Sequence, residues 1–255
     1  MYKLRDWILP ERLTWIGLSS NPNAIHILED NLDKVFWAHL CVNPNAVHLV
    51  KRGEERWYYL SCNPGAGRLL EDNVDKVSWH GLSSNPAAIK ILEANLDKIE
   101  WDALSANPAA MHLLYAYPHK INWTILSTNP SAIHLLEANP DRIDWDWLCR
   151  NPAAIHLLEE NSSRINWDIL CENPAAIHLL EENLDEIDWH RLSENPAAID
   201  LLEEFKDRVI WGWISSNPAI FEYDYEGMRQ SKVYLHAELF AVCYHPDNFA
   251  RLSLI

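Results

Sequence analysis

Apolar and polar positions along this chain recur with a period of 22 residues. Tryptophan returns at Trp37, Trp57, Trp79, Trp101, Trp123, Trp145, Trp167, Trp189 and Trp211. A second column is formed by ten Asn-Pro pairs, from Asn21-Pro22 to Asn217-Pro218, with every interval 22 except the 20 between Asn43 and Asn63. A fixed period of this size marks a chain built by stacking one supersecondary unit on the next.

The unit from Trp167 to Asp188 shows what is stacked. A residue before proline is pushed out of the α region, and proline suits the first position of a helix. Asn173 therefore predicts an N-cap and Pro174 a helix start, with the helix running to Glu182. Asn183 predicts the stop, since asparagine tolerates the left-handed conformation past a helix end. Asn31, Asn73, Asn95, Asn139 and Asn161 share that column. A shorter helix follows, capped by Asp188 and opened by Trp189, and Ser78, Asn122, Asp144 and Asn166 hold the same cap position elsewhere. Ala176, Ile177 and Leu180 lie at helical spacing and form a core face, while His178 points away from it. Helices this short are marginal alone and depend on neighbouring units.

The fold class that follows is all-α: an α-solenoid of about ten 22-residue two-helix repeats with terminal caps. Residues 1–14 are expected to form an N-terminal cap, 15–220 the array and 221–255 a helical C-terminal cap, with helices over Ser231–Tyr244 and Asn248–Leu254. At about 8–10 Å per helix layer the stack is expected to be an extended body on the order of 90 Å long.

Composition narrows the partners. The formal net charge is −16, a field that repels nucleic-acid backbones and anionic membranes. No apolar run approaches the length of a membrane span, and charges at Lys3, Arg5 and Asp6 interrupt any leader-like stretch. Seven glycines leave little room for phosphate-cradling loops. Cys41, Cys149 and Cys171 share a column with Ser19, Ser83, Ser105 and others, which suggests a need for small side chains, reduced thiols and an intracellular, cytoplasmic setting.

Candidate sites are the places that stacking leaves unexplained. His26, His48, His112, His134, His156 and His178 form a column, but rungs a helix diameter apart are too distant to share a zinc ion. This ladder is expected to be a solvated face rather than a metal or pH-sensing site. The tryptophan column is expected to be core, whereas Trp147 and Trp213 fall off it and are candidates for partner contact. The shortened repeat and its successor place Lys51, Arg52, Arg56 and Arg68 in the same region, a candidate basic spot. The run Tyr115-Ala116-Tyr117-Pro118-His119 replaces the usual Glu and Asn stop. No catalytic motif is present, and serine and histidine columns that repeat many times do not form a singular catalytic constellation. No catalytic, metal or cofactor site is expected.

The pattern Ile-x-Trp-x-x-Leu-Ser-x-Asn-Pro-x-Ala-Ile-x-Leu-Leu-Glu-x-Asn resembles a tandem-repeat family of large DNA viruses of amoebae, of the mimivirus and marseillevirus kind. The lead-in with Lys3, Leu4, Asp6, Trp7 and Ile8 is similar, as is the tail with Phe221–Glu226, Ala241–Pro246 and Arg251. The resemblance implies an α-solenoid expressed in an infected host cell, with a binding role and no catalytic residues to carry over. The expected function is a non-enzymatic scaffold that captures a host or viral protein. The alternatives are a self-associating structural or virion component, including a homodimer through the C-terminal cap, and a histidine-ladder protein that responds to metal or pH.

Overall fold

The computed structural model describes residues 2–50 and 56–232. Two compact units are present. One comprises Leu9–Ile220, and the other combines Met1–Ile8 with Phe221–Ile255. The division at Ile8/Leu9 places residues 9–14 with the repeats.

In the repeat unit a typical module has four parts. A first helix begins at the column tryptophan, as in Trp79–Ser84, Trp123–Leu126 and Trp189–Glu194. A 3-10 turn follows at the Asn-Pro pair, such as Pro108–Ala110, and leads into a short second helix, such as Met111–Ala116. A closing 3-10 turn, such as Pro140–Arg142, returns the chain to the next tryptophan. The expected long second helix is thus divided: Pro152–Ala154 is 3-10 and only Ile155–Glu160 is α. In the shortened repeat it contracts to the 3-10 turn Val47–Leu49. The predicted caps of the first helix form, with Ser78, Asn122, Asp144, Asn166 and Asp188 side chains accepting from backbone amides.

Leucine and alanine columns make the core. Leu104, Leu114, Leu126, Leu136, Ala110 and Ala132 are completely buried. The tryptophans are only half-buried, contrary to the core role expected for them. Their rings lie beneath a cation from the closing turn of the same repeat: Lys34 covers Trp15, Lys98 covers Trp79, Arg142 covers Trp123 and Arg164 covers Trp145, at 4.8 Å in each case.

Buried hydrogen bonds set the stacking. Asn107 is fully buried. Its Oδ1 accepts from Ala109 N at 3.0 Å, as expected of a cap. Its Nδ2 also donates to the carbonyls of Ser83 and Asn85 in the preceding repeat, at 3.0 and 3.1 Å. The same pattern joins Asn129 to Ser105 and Asn107, and Asn195 to Cys171 and Asn173. The serine column works through its hydroxyl as well as its size. Ser105 Oγ donates to Trp101 O at 2.9 Å and accepts from Asn122 N of the next repeat at 3.0 Å. Cys149 repeats both contacts more weakly through sulfur, and burial pushes the neighbouring column thiol of Cys171 up to about 11. Four free cysteines lie among the described residues.

The second asparagine column stops the helix by a different route from the one expected. Asn183 has φ −134° rather than a positive value, and its Nδ2 donates to Leu179 O at 2.8 Å. The side chain satisfies an orphan carbonyl directly, so no left-handed residue is needed. Asn95, Asn139 and Asn161 do the same.

The array closes on itself. Thr14 N donates to Ser215 Oγ at 2.9 Å. Asn21 Nδ2 donates to the carbonyls of Ser215 and Asn217 at 3.1 and 2.9 Å, and Arg12 stacks over Trp211 at 4.7 Å. The asparagine bonds are those made between every other pair of adjacent repeats. Pro10–Arg12 is the closing turn that the tenth repeat would otherwise lack. Gly17 is needed at this seam, because a Cβ there would meet Ser215 Cβ and the backbone beyond it. The expectation of an extended body about 90 Å long is therefore overturned: ten repeats share one full turn, about 36° each.

The rotation arises because each repeat is wedge-shaped. Successive first helices pack directly together, whereas successive second helices are bridged by long side chains such as His112 and Glu93, 2.8 Å apart. First helices therefore line the inner edge. Ten layers of about 9 Å set their axes on a circle of roughly 14 Å radius. A helix half-width of about 5 Å leaves an opening of somewhat under 20 Å.

The second unit pairs β1 (Tyr2–Leu4) with β2 (Phe221–Tyr223) in antiparallel register, Lys3 opposite Glu222. Lys3 Nζ lies 2.9 Å from Glu222 Oε1, and the Tyr2 and Tyr223 rings stack at 4.9 Å. Residues 221–223 open the cap that was expected to be helical, ahead of its first expected helix at Ser231. Their aromatic alternation instead suits a strand, once the chain's other end supplies a partner. A helix follows over 225–232, with Asp224 Oδ1 accepting from Gly227 N at 2.8 Å. It starts earlier than the helix expected from Ser231. The remainder of that helix, and the one over Asn248–Leu254, lie outside the described residues.

Asn107→Ala removes three hydrogen bonds and leaves buried partners unsatisfied, and should lower unfolding free energy by about 2–4 kcal/mol in urea. Asn95→Ala, which loses one peripheral bond, should cost about 1 kcal/mol or less. Spin labels at exposed Glu11 and Asp207 should report a separation of one repeat, roughly 10 Å plus the label arms. A distance beyond the reach of dipolar spectroscopy would mean the ring is open.

Candidate functional site

The repeat architecture accounts for the Trp, Leu, Ser, Asn, Pro and Ala columns. It constrains least the residues one, two and five positions after each column tryptophan, which face the inner edge, although Gly17, Gly81 and Ala103 at the second of these positions are buried in the stack. These are the places where the repeats differ most. Ile16, Tyr58, Tyr59, Trp147 and Trp213 fall there and are exposed. Trp213 is 47% exposed and Trp147 36%, so the two tryptophans singled out from the sequence lie at the same position in different repeats.

Charged residues link neighbouring first helices along this edge. The Arg150 guanidinium donates one hydrogen bond to Glu172, from Nη2 at 3.2 Å, holds Nε in ionic contact with the same carboxylate at 2.8 Å, and stacks over Trp147 at 5.0 Å. Glu172 also takes Arg191 Nη1, and Arg191 Nε lies 3.4 Å from Asp188. Further round, Ser216 Oγ donates to Glu194 Oε1 at 3.0 Å. A hollow of about 250 Å3 crosses the seam, lined by residues that include Ile16, Ser20, His39, Glu194, Trp213 and Ser216. Burial raises the Glu194 carboxyl above its ordinary value, the Ser216 bond opposes this, and the Glu172 charge adds to it.

The other candidates fall elsewhere. Arg56 immediately precedes the helix Trp57–Cys62 without a side-chain capping bond, and Arg68 is exposed on the helix Gly67–Glu71, so the two lie at different elements of one repeat. Lys51 and Arg52 lie outside the described residues. Tyr117 is structural: its ring packs on Trp101 at 5.1 Å in the place where other repeats put an asparagine. Phe205 does the same on Trp189 at 5.4 Å.

The histidine column is solvated but paired across repeats. His112, His156 and His178 each meet a glutamate of the preceding repeat at 2.8–3.0 Å, and His48 meets Glu29 at 3.3 Å. Glu137 lies between His156 and His134, whose hydrogen bonds hold its carboxyl below the usual value. Among the described residues no three His, Cys, Asp or Glu side chains converge to hold a metal, and no helix is long and apolar enough to cross a membrane.

Arg150, Glu172, Arg191 and Glu194 were not anticipated from sequence. The signal for them was within-chain variation: positions that change from repeat to repeat while their neighbours stay constant. Comparison of the chain with protein-family models, with curated proteins and with solved structures finds no match.

The raised Glu194 carboxyl has a consequence for stability. Its protonated form is favoured in the fold, so its contribution is intact below about pH 4 and becomes a penalty as pH rises through the folded value. Glu194→Gln should therefore raise the melting temperature at pH 7, and the difference should vanish near pH 4. An equal gain at both pH values would contradict this.

Proposed function

We propose that this chain is a non-enzymatic, protein-binding scaffold that captures a partner on the inner edge of its repeat ring. The observation that carries the proposal is that exposed aromatic residues share the positions stacking leaves free, with Trp147 and Trp213 equivalent across the ring. Tryptophan and arginine are the residues most often found at the energetic centres of protein interfaces. The Arg150–Glu172–Arg191 network adds fixed, directional charge beside Trp147. The formal charge of −16 disfavours nucleic-acid and anionic-membrane partners. A host or viral partner, and the cytoplasm of an infected cell, rest on the sequence resemblance alone.

The test uses the full chain and the double variant Trp147→Ala/Trp213→Ala. Neither side chain belongs to the fully buried core, so the variant should keep a cooperative thermal transition, with a lowered midpoint where Trp147 loses its contact with Arg150. Affinity purification from infected and uninfected host-cell lysate should recover a partner with the parent chain and lose it with the variant. Recovery of only the chain itself or of viral particle proteins would instead favour a self-associating structural role. An identical protein set with parent and variant would remove the inner edge from consideration.

A further inference from the structure

Seven column tryptophans carry a cation from their own repeat's closing turn over the ring: Trp15, Trp57, Trp79, Trp123, Trp145, Trp189 and Trp211. Trp101 is instead covered by Tyr117. Trp167 breaks the pattern. The position that supplies Arg164 to Trp145 and Arg208 to Trp189 holds Glu186 in the repeat between them. Among the described residues no cation or aromatic ring stacks on Trp167, and the Glu186 carboxylate has no ion-pair partner. The Trp167 ring lies in a hollow of about 480 Å3 whose lining includes Asp146, Arg164, Asp168 and Glu186. Arg164 is already engaged over Trp145 and Asp146 accepts a bond from Asn166. Glu186 and Asp168 are left as exposed charge beside the ring.

We propose that Trp167 and Glu186 form a binding site for the basic side chain of a partner protein, a guanidinium or ammonium group. The inserted group completes the ladder that the chain's own residues complete elsewhere. The seven occupied rungs define the geometry, with the cation 4.7–5.3 Å from the ring centroid. An aromatic face draws a cation through its quadrupole, and the adjacent carboxylate pairs with the charge. A lysine or arginine here would have closed the site, whereas a glutamate leaves the ring open and adds the countercharge. The source of the side chain rests on the protein-binding proposal above, but the site itself does not.

The test is a titration of the full chain, 15N-labelled at tryptophan, with the peptide acetyl-Gly-Gly-Arg-Gly-Gly-amide. The citrulline peptide is the neutral isostere. The Trp167 indole signal is assigned by its loss in Trp167→Phe. The arginine peptide should shift that signal, and the citrulline peptide should not. Glu186→Lys restores the residue type found at Lys34, Lys76 and Lys98, so it should fold. It should fill the site from within and weaken binding at least about tenfold. Glu186→Gln should weaken binding without filling the site. No shift at Trp167, an equal shift with citrulline, or an undiminished shift in Glu186→Lys would overturn the proposal. Because the titration uses no partner, a silent Trp167 beside a partner still captured in the lysate experiment rejects this site alone.

Discussion

The structure depends on one buried side chain used ten times. The asparagine of each Asn-Pro pair caps its own turn through Oδ1 and reaches back through Nδ2 to two carbonyls of the preceding repeat. Proline then begins the next turn without an amide to satisfy. Helices of four to six residues cannot stand alone in water. The asparagine supplies what they lack, a link between backbones that is both buried and fully bonded. The same requirement explains closure. In an open stack, the Asn21 amide and the carbonyls of Ser215 and Asn217 would lose their partners. In the ring they satisfy one another, and Thr14 and Ser215 do likewise.

Closure changes what the molecule offers. An open solenoid presents two ends and a long concave face. Here the first and last repeats bury each other, and the inner edge becomes a continuous circle of first helices. Outer positions are taken up by histidine–glutamate pairs, exposed at both partners and so worth little individually. Variation is instead concentrated on the inner edge, where the Arg150–Glu172–Arg191 network and Trp147 adjoin. A function carried by the differences between repeats belongs there, or at single departures such as Glu186.

Much of the local architecture was legible from residue type and spacing. Asp188 before Trp189 identified the cap of the first helix, and Asn173 before Pro174 identified a capped turn ahead of the helix that begins at Ile177, because proline and short polar side chains act within a few residues. Asn183 was placed correctly but for the wrong reason, since its amide bonds Leu179 instead of supplying positive φ. Trp123 was taken as core because it follows Ile121 and precedes Leu126. It is half-buried because Arg142, 19 residues later, covers its face. Trp147 was legible as an outlier to its column, but Glu172 and Arg191 were not. Their partners lie in other repeats, and no local pattern marks them.

The sequence by itself determined the repeat, its helical content, its caps and the positions that stacking leaves free. All of these follow from interactions within one period or between identical neighbours. Closure was decided only in three dimensions. Each step contributes about 36°, a small rotation set by how closely first helices approach compared with second helices. A single unit shows no sign of the total, and whether ten such steps meet depends on their sum. The role of Leu9–Thr14 was hidden for the same reason. These residues look like a lead-in until the ring brings them to Trp211 and Ser215, where they complete the tenth repeat.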